Sequence, residues 1–357
     1  MTLLLFLAGL ALLILGAELM VRGASRLSLS LGIAPLVVGL TVVSFGTSAP
    51  ELAISIKSAF DGHTDLALGN VVGSNIFNVL FILGLSALVA PLVVDRQLVR
   101  QEVPILVALC VLVGWMALDR EISRGDGLVL VVLMVAYTGL LYWMGRRAAP
   151  GAQGDELVEG IDAPWLSRLW VQLALIAVGL VMLVLGSRWL VQASVEFATA
   201  MGVSPLIIGL TIVSAGTSLP EVATSVVAAA RGEREIAVGN VIGSCIFNLV
   251  AVLGISALVA PAGLGVPKAL LAFDLPVMFA VSLACLPVLF TGHLIARWEG
   301  ALFLAYYVFY VTYLVLYSQD HDALEEFTLV MGTVVIPLTV VTLAVVAWRE
   351  LRTPRRA

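Results

Sequence analysis

Long apolar runs, broken by short polar turns, occupy nearly the whole chain. Eleven of these runs are long enough for a helix to cross the hydrocarbon core of a bilayer, which takes about 20 residues. They lie near residues 2–21, 33–59, 66–90, 103–118, 127–145, 169–191, 203–230, 236–260, 269–291, 299–317 and 327–348. The pattern predicts an all-α polytopic membrane protein.

The second and seventh of these runs carry the same polar interruption, and the run after each carries a second shared motif. Gly-Thr-Ser-x-Pro-Glu occurs at 46–51 and 216–221, and Gly-Asn-Val-x-Gly-Ser-x-Ile-Phe-Asn occurs at 69–78 and 239–248. When residues 32–91 are aligned without a gap on residues 202–261, 34 of 60 positions are identical. The chain therefore contains an internal repeat.

The spacing of the two copies predicts how they lie in the membrane. The offset is 170 residues and five predicted spans fill it, so the second copy enters the bilayer from the opposite side. Many secondary transporters are built from such inverted-topology repeats. We expect a 5+5 transmembrane helix repeat plus one C-terminal transmembrane helix. The predicted units are a first repeat at 1–145, a cytoplasmic linker at 146–168, a second repeat at 169–317, and an extra helix with a basic tail at 318–357.

Composition narrows the class of protein further. With 61% hydrophobic and 12% charged residues, the chain carries far more apolar surface than a soluble domain can bury. The net charge of −5 argues against a nucleic-acid partner, and the three cysteines lack metal-ligand spacing. The expected partners are the lipid bilayer and transported ions, and the oligomeric state stays open.

The arginines predict the orientation. If the N-terminus lies outside, most basic residues fall on the cytoplasmic side, which is the usual bias of short loops. The inward set is Arg22, Arg26, Arg96, Arg100, Arg146, Arg147, Arg168, Arg231, Arg234, Arg297, Arg349, Arg352, Arg355 and Arg356, and the outward set is Arg120, Arg124, Arg188 and Lys268. We expect a multi-pass protein of the cell inner (plasma) membrane with a cytoplasmic C-terminus.

The duplicated motif is chemically suited to a cation. Pro50 has no backbone N–H, so the carbonyl of Gly46 loses its helical partner. At membrane depth, such an opened backbone is tolerated only where it meets other protein or lines a cavity. Hard cations such as Ca²⁺ prefer oxygen donors. The motif offers an all-oxygen set, made of freed carbonyls, the hydroxyls of Thr47 and Ser48 and the carboxylate of Glu51.

The inverted copy adds a matching set from the opposite direction, made of Gly216, Thr217, Ser218 and Glu221. The two glutamates then carry enough charge to neutralise one divalent cation. On the following spans, Ser74 and Asn78 share a helical face, as do Ser244 and Asn248, and they can supply neutral oxygens. The alternative interpretation is that the small residues serve close helix packing and that each glutamate is a structural carboxylate paired with a base.

These motifs, in this order and spacing, closely resemble the two α-repeats of the calcium/cation antiporter superfamily, specifically its sodium/calcium exchanger branch in the compact prokaryotic form. The resemblance covers roughly residues 1–317 and implies alternating-access exchange of Ca²⁺ for several Na⁺ at a shared site. The ligands it implies are Glu51, Glu221, Thr47, Ser48, Thr217, Ser218, the backbone of Ser44 and Ser214, and Ser74, Asn78 and Ser244. One departure is Asn248, where many relatives carry Asp, so that two carboxylates instead of three lie at the centre.

We therefore expect a Na⁺/Ca²⁺ antiporter that is not an enzyme and uses no cofactor. The main alternative is a Ca²⁺/H⁺ antiporter in which the same two glutamates carry protons, because burial favours the protonated form of a carboxylate. A cation channel with an acidic filter is less favoured, because channels usually have symmetry about the membrane normal. An intramembrane enzyme is least favoured, because motifs such as His-Glu-x-x-His are absent from the sequence.

Overall fold

The computed structural model of the chain describes residues 2–147, 168–201, 214–290, 293–319 and 321–352. Its helices are α1 (Thr2–Leu31), α2 (Pro35–Thr47), α3 (Ala49–Phe60), α4 (Thr64–Val89), α5 (Leu98–Asp119), α6 (Arg124–Arg147), α7 (Leu169–Ala200), α8 (Ser214–Gly216), α9 (Leu219–Ala230), α10 (Arg234–Val259), α11 (Leu270–Phe290), α12 (Arg297–Ser318) and α13 (323–352).

Nine of the described helices are long and apolar enough to cross a membrane, and α2 with α3 forms a tenth span that bends by 46°. The prediction of an all-α polytopic membrane protein is confirmed. The predicted span at 203–230 begins outside the described ranges, and its described part is α8 and α9. Most of the predicted linker at 146–168 also lies outside them.

Helix α1 extends well beyond its predicted end at residue 21. Its last turns are polar, and their side chains find partners on other helices: Ser25 Oγ donates to Glu233 Oε1 at 2.6 Å, and Ser30 Oγ donates to Gln172 Oε1 at 2.8 Å. Hydropathy predicts only the apolar part of a helix and therefore ends the span before Arg22. The helix itself continues to Gly32, whose φ of +64° ends it.

Helices α4 and α10, the matching third spans of the two repeats, lie at the centre of the molecule. In their most apolar segments, 78% and 83% of the residues are buried, compared with 33% in α1 and α7. Both central helices carry the Gly-Ser-x-Ile-Phe-Asn motif. The second shared motif therefore lies in the protein interior and not against lipid.

Two short antiparallel ribbons join the repeats at opposite faces of the molecule. β1 (Leu92–Val93) pairs with β4 (Leu294–Ile295), and β2 (Glu121–Ile122) pairs with β3 (Leu264–Gly265). β1 and β3 follow the third span of their respective repeats, and β2 and β4 follow the fourth. Each ribbon is thus the symmetry mate of the other, which is the arrangement that an inverted repeat requires. Sequence patterns did not predict these strands, because two residues are too few to show an alternation.

The first helices of the two repeats, α1 and α7, cross in an antiparallel pair with their backbones in close contact. A Cβ on Gly16 would lie 2.8 Å from the carbonyl oxygen of Gly179, and a Cβ on Gly186 would lie 2.7 Å from that of Gly9. Membrane helices approach this closely only through small residues. The glycines therefore set the contact between the repeats along this pair.

Candidate cation site

The helix break predicted at the duplicated motif is present. Ser48 joins α2 to α3 with φ −82° and ψ 7°, and Ser218 precedes α9 with φ −90° and ψ 9°. Pro50 and Pro220 follow in the first turn of α3 and α9. Proline is favoured there because the first N–H groups of a helix have no intrahelical partner. The motif therefore ends one helix and starts the next at the same backbone geometry in both repeats.

The two breaks face each other and are joined by reciprocal hydrogen bonds. Ser48 Oγ donates to Glu221 Oε1 at 2.9 Å, and Ser218 Oγ donates to Glu51 Oε1 at 2.8 Å. Both carboxylates are 1% exposed. Each repeat thus holds the carboxylate of the other, and the two carboxyl groups share one buried centre without a basic partner among the described residues. This disfavours the alternative in which each glutamate pairs with a base.

Several buried oxygens of the predicted site residues have no hydrogen-bond partner. They are Glu51 Oε2, Glu221 Oε2, Asn78 Oδ1, Asn248 Oδ1, Ser244 Oγ and Thr217 Oγ1. An unpaired buried polar atom costs about 1–3 kcal/mol, and a charged one costs more. Such a concentration of lone pairs fits a cation, since Ca²⁺ takes about 6–8 oxygen ligands. Among the described residues no group of three or more His, Cys, Asp and Glu side chains could hold a metal.

The asparagines of the second motif begin π-helical turns. Asn78 starts the turn Asn78–Leu83 in α4, and Asn248 starts the turn Asn248–Val252 in α10. A π turn widens a helix by one residue and is often found at functional sites. Hydropathy does not distinguish such a turn from ordinary helix, so the sequence did not predict it.

The hydroxyls of Ser44 and Ser74 are already engaged in hydrogen bonds. Ser44 Oγ donates to the carbonyl of Leu40 at 2.7 Å, and the carbonyl of Ser44 accepts the N–H of Ser48 at 3.0 Å. Ser74 Oγ lies 3.4 Å from Ser218 Oγ and is the donor of this pair, because the single hydroxyl hydrogen of Ser218 goes to Glu51. For Ser214 the structure describes the backbone, which starts α8. Thr47 Oγ1 also lies 3.4 Å from the carbonyl oxygen of Ser44, so this carbonyl is contacted from two sides.

Sequence analysis assigned no role to two asparagines that hold the glutamates in place. Asn70 Nδ2 donates to the carbonyl of Glu51 at 3.3 Å, and Asn240 Nδ2 donates to the carbonyl of Glu221 at 3.4 Å. The same amides donate to Ser55 Oγ at 2.9 Å and to Ser225 Oγ at 2.8 Å. Each asparagine thus ties the helix that starts at the break to the central helix of its repeat. Their place in the duplicated motif was the one available signal.

Thr47 and Gly243 bring α2 against α10. Thr47 Oγ1 donates to Asn240 Oδ1 at 3.1 Å. A Cβ on Gly243 would lie 2.8 Å from both Ser44 Oγ and the carbonyl oxygen of Leu40. The glycine before Ser244 therefore allows the backbone of α2 to reach the helix that carries the neutral oxygens.

In both repeats a helix is broken at the same motif, and the two breaks meet around two buried carboxylates. The repeats are related by inverted symmetry. This arrangement defines a secondary cation transporter of the inverted-repeat type. A family model described as sodium/calcium exchanger protein matches residues 1–143 and 171–316. The chain belongs to the sodium/calcium exchanger family. This confirms the resemblance inferred from the two motifs.

Individual relatives agree with this placement. The sodium/calcium exchanger MaX1 of Methanosarcina acetivorans is 35% identical over 350 residues, which cover 87% of this chain and 97% of MaX1. The inner membrane protein YrbG of Escherichia coli is 38% identical over 260 residues, which cover 72% of this chain and 79% of YrbG. A solved structure of the sodium-calcium exchanger NCX_Mj, soaked with Na⁺ and Ca²⁺, matches with a TM-score of 0.74 and 28% identity over 87% of this chain and 97% of that one.

Proposed function

We propose that the buried centre around Glu51 and Glu221 is the single site at which this family member exchanges Na⁺ for Ca²⁺ by alternating access. The unpartnered oxygens carry the proposal, because a cation is the ligand that satisfies all of them at once. One Ca²⁺ neutralises the two carboxylates, and Na⁺ ions compete for the same oxygens. Two unneutralised carboxylates are costly to bury, so the site switches its open face only when it is filled.

Asn248 sets the charge of the proposed site. Its amide has no hydrogen-bond partner and is 1% exposed, as expected of a neutral ligand facing the centre. With asparagine here and at Asn78, the centre holds a charge of −2, which two Na⁺ or one Ca²⁺ balance. Any further Na⁺ has to be held by neutral oxygens alone.

The proposed orientation places the N-terminus outside and the C-terminus in the cytoplasm of the inner membrane. The β1–β4 ribbon supports it, because it puts the loop with Arg96 and Arg100 on the same face as the loop that leads to Arg297. These arginines fall on one side, in agreement with the positive-inside rule. The opposite ribbon joins the loops with Arg120, Arg124 and Lys268, the basic residues predicted to lie outside.

We further propose that residues 1–145 and 169–317 form the transport unit, joined by the linker at 146–168, and that 318–357 is an appendage. The position of α13 supports this division. None of the residues in its most apolar segment is buried, and Tyr306 OH of α12 donates to Thr339 Oγ1 at 2.7 Å. The helix therefore contacts the second repeat from the periphery, away from the cation site.

The first experiment is ⁴⁵Ca²⁺ uptake into proteoliposomes loaded with Na⁺ or with choline, at clamped pH and voltage. We expect uptake that requires internal Na⁺ and that is lost in Glu51→Gln and Glu221→Gln. Glu102→Gln is the matched control, because Glu102 is also 1% exposed but bonds to Tyr137 and Gln97 away from the site. Intact uptake in both site variants contradicts the proposed site. Uptake that ignores Na⁺ and follows an imposed pH gradient identifies a Ca²⁺/H⁺ antiporter instead.

A further inference from the structure

Two positions that match between the repeats carry inverted charges. Glu18 corresponds, 170 residues later, to Arg188, and Asp61 corresponds to Arg231. The first repeat is acidic at both positions and the second repeat is basic at both. A residue of one repeat is therefore attracted to the other position in the opposite repeat, so that Glu18 can pair with Arg231 and Asp61 can pair with Arg188. The first pair lies on the face that we assign to the cytoplasm, and the second lies on the outer face.

The first of these pairs is formed in the structure. The carboxylate of Glu18, on α1, accepts hydrogen bonds from Arg231, which directly follows α9. It also accepts a hydrogen bond from Arg22 at 2.6 Å. Two turns beyond Glu18 on α1, Ser25 Oγ donates to Glu233 in the α9–α10 turn. Helix α1 of the first repeat is thus held against the turn of the second repeat on this face.

The matching pair on the opposite face is not formed. Arg188 on α7 and Asp61 after α3 are both exposed. Within the described ranges, every ion pair involves Glu18. One face is therefore held by the contact between repeats, and the other lacks the equivalent contact.

One contact at the cation site also differs between the repeats. Thr47 donates to Asn240 Oδ1, whereas no hydrogen bond from Thr217 to the matching Asn70 is formed. The backbone angles at Ser48 and Ser218 and the serine–glutamate bonds are nearly the same in both repeats, so the asymmetry is confined to side-chain contacts between the repeats.

When inverted repeats exchange conformations, a contact between them is replaced by its symmetry mate on the other face. We propose that Glu18–Arg231 and Arg188–Asp61 are alternating ion latches, the first closing the cytoplasmic face in the conformation described and the second closing the outer face in the opposite conformation. Because the two acidic residues lie in the first repeat and the two basic residues in the second, each latch joins residues of opposite charge. Part-exposed ion pairs are weak, so each latch shifts the conformational equilibrium without blocking turnover.

Double electron–electron resonance in nanodiscs tests the latches, with spin labels at Thr199→Cys on α7 and Asp65→Cys at the start of α4. Both positions are exposed, and the native cysteines are buried. Glu18→Gln should raise the population with the shorter distance between the labels, and Arg188→Gln should lower it. In each variant, the ratio of the population with the shorter label distance to the population with the longer distance should change roughly two- to fivefold, which is the scale of a part-exposed ion pair. The double variant should return close to the wild-type distribution.

Arg231→Gln removes the cytoplasmic latch from its other side and should shift the distances in the same direction as Glu18→Gln. Unchanged distributions, or shifts of Glu18→Gln and Arg188→Gln in the same direction, would overturn the latches. Na⁺-dependent ⁴⁵Ca²⁺ uptake by the same variants should persist, because neither residue contacts the cation site. The latches rest on the proposed alternating access and on the proposed orientation. Because uptake and label distances are measured separately, persistent uptake with unchanged distances would overturn the latches alone, whereas loss of Na⁺-dependent uptake in the wild type would overturn the proposed function.

Discussion

Replacing Gly243 by alanine tests whether the close approach of α2 to α10 builds the cation site. Gly243 lies directly before Ser244, and a Cβ there would be 2.8 Å from the Cα and the carbonyl oxygen of Leu40 and 2.8 Å from Ser44 Oγ. Carbon atoms in good contact lie about 3.5–4 Å apart. The backbone of α2 must therefore move away from α10 by several tenths of an ångström.

Two effects of this substitution oppose each other. Alanine within a helix is more favourable than glycine by roughly 0.5–1 kcal/mol. Overpacking of a tight contact costs about 1–3 kcal/mol, and two of the three clashing atoms are backbone atoms of Leu40 that no side-chain rotation can remove. We expect a net destabilisation of about 0.5–2 kcal/mol. Movement of α2 also separates Thr47 from Asn240, and a loss of about 1 kcal/mol at the site corresponds to a roughly fivefold weaker affinity for Ca²⁺.

Thermal unfolding in detergent and ⁴⁵Ca²⁺ binding measure the two consequences. Gly139→Ala is the control, because Gly139 lies on the exposed side of α6 and a Cβ there meets no described atom within 4 Å. It should bind Ca²⁺ like the wild type and unfold at the same or a higher temperature. Adding Ser44→Ala to Gly243→Ala should not restore binding, because the backbone clash remains. The reasoning is refuted if Gly243→Ala matches Gly139→Ala in both measurements.

Three further predictions follow from other contacts. Ser48→Ala and Ser218→Ala each remove one donor to the opposite carboxylate, so each should weaken Ca²⁺ binding by about 1.5–3 kcal/mol in isothermal titration; affinities of the two variants that differ more than about tenfold would contradict the symmetry of the site. Asn248→Asp adds a third buried negative charge and should make Na⁺ inhibition of ⁴⁵Ca²⁺ binding steeper; an unchanged Hill coefficient would place residue 248 outside the site. Tyr137→Phe removes the 2.7 Å hydrogen bond to Glu102 and should lower stability by about 1–3 kcal/mol in thermal unfolding, with no change in Ca²⁺ affinity.

The amino-acid sequence alone was enough for the class of protein and for the inverted repeat, and it supplied the residues that are proposed for the cation site. The spans follow from hydropathy, since the bilayer demands long apolar runs. The break at Ser48 follows from local chemistry, because Pro50 lacks an N–H. The parity of five spans between the copies then implied that Glu51 and Glu221 meet from opposite directions, and the structure places them so. That they bind ions stays a proposal.

Three-dimensional packing was needed for the partners of these residues. The bonds Ser48–Glu221 and Ser218–Glu51 join positions more than 160 residues apart, and the anchoring role of Asn240 depends on which helix lies beside it. The π-helical turns at the motif asparagines leave hydropathy unchanged, so no periodicity reveals them. Spacing along the chain reports which groups are present and from which side they enter the membrane. Which hydroxyl donates to which carboxylate, and which ion pair is closed, depends on the distance between helices, and that distance is set by the packing of the whole bundle.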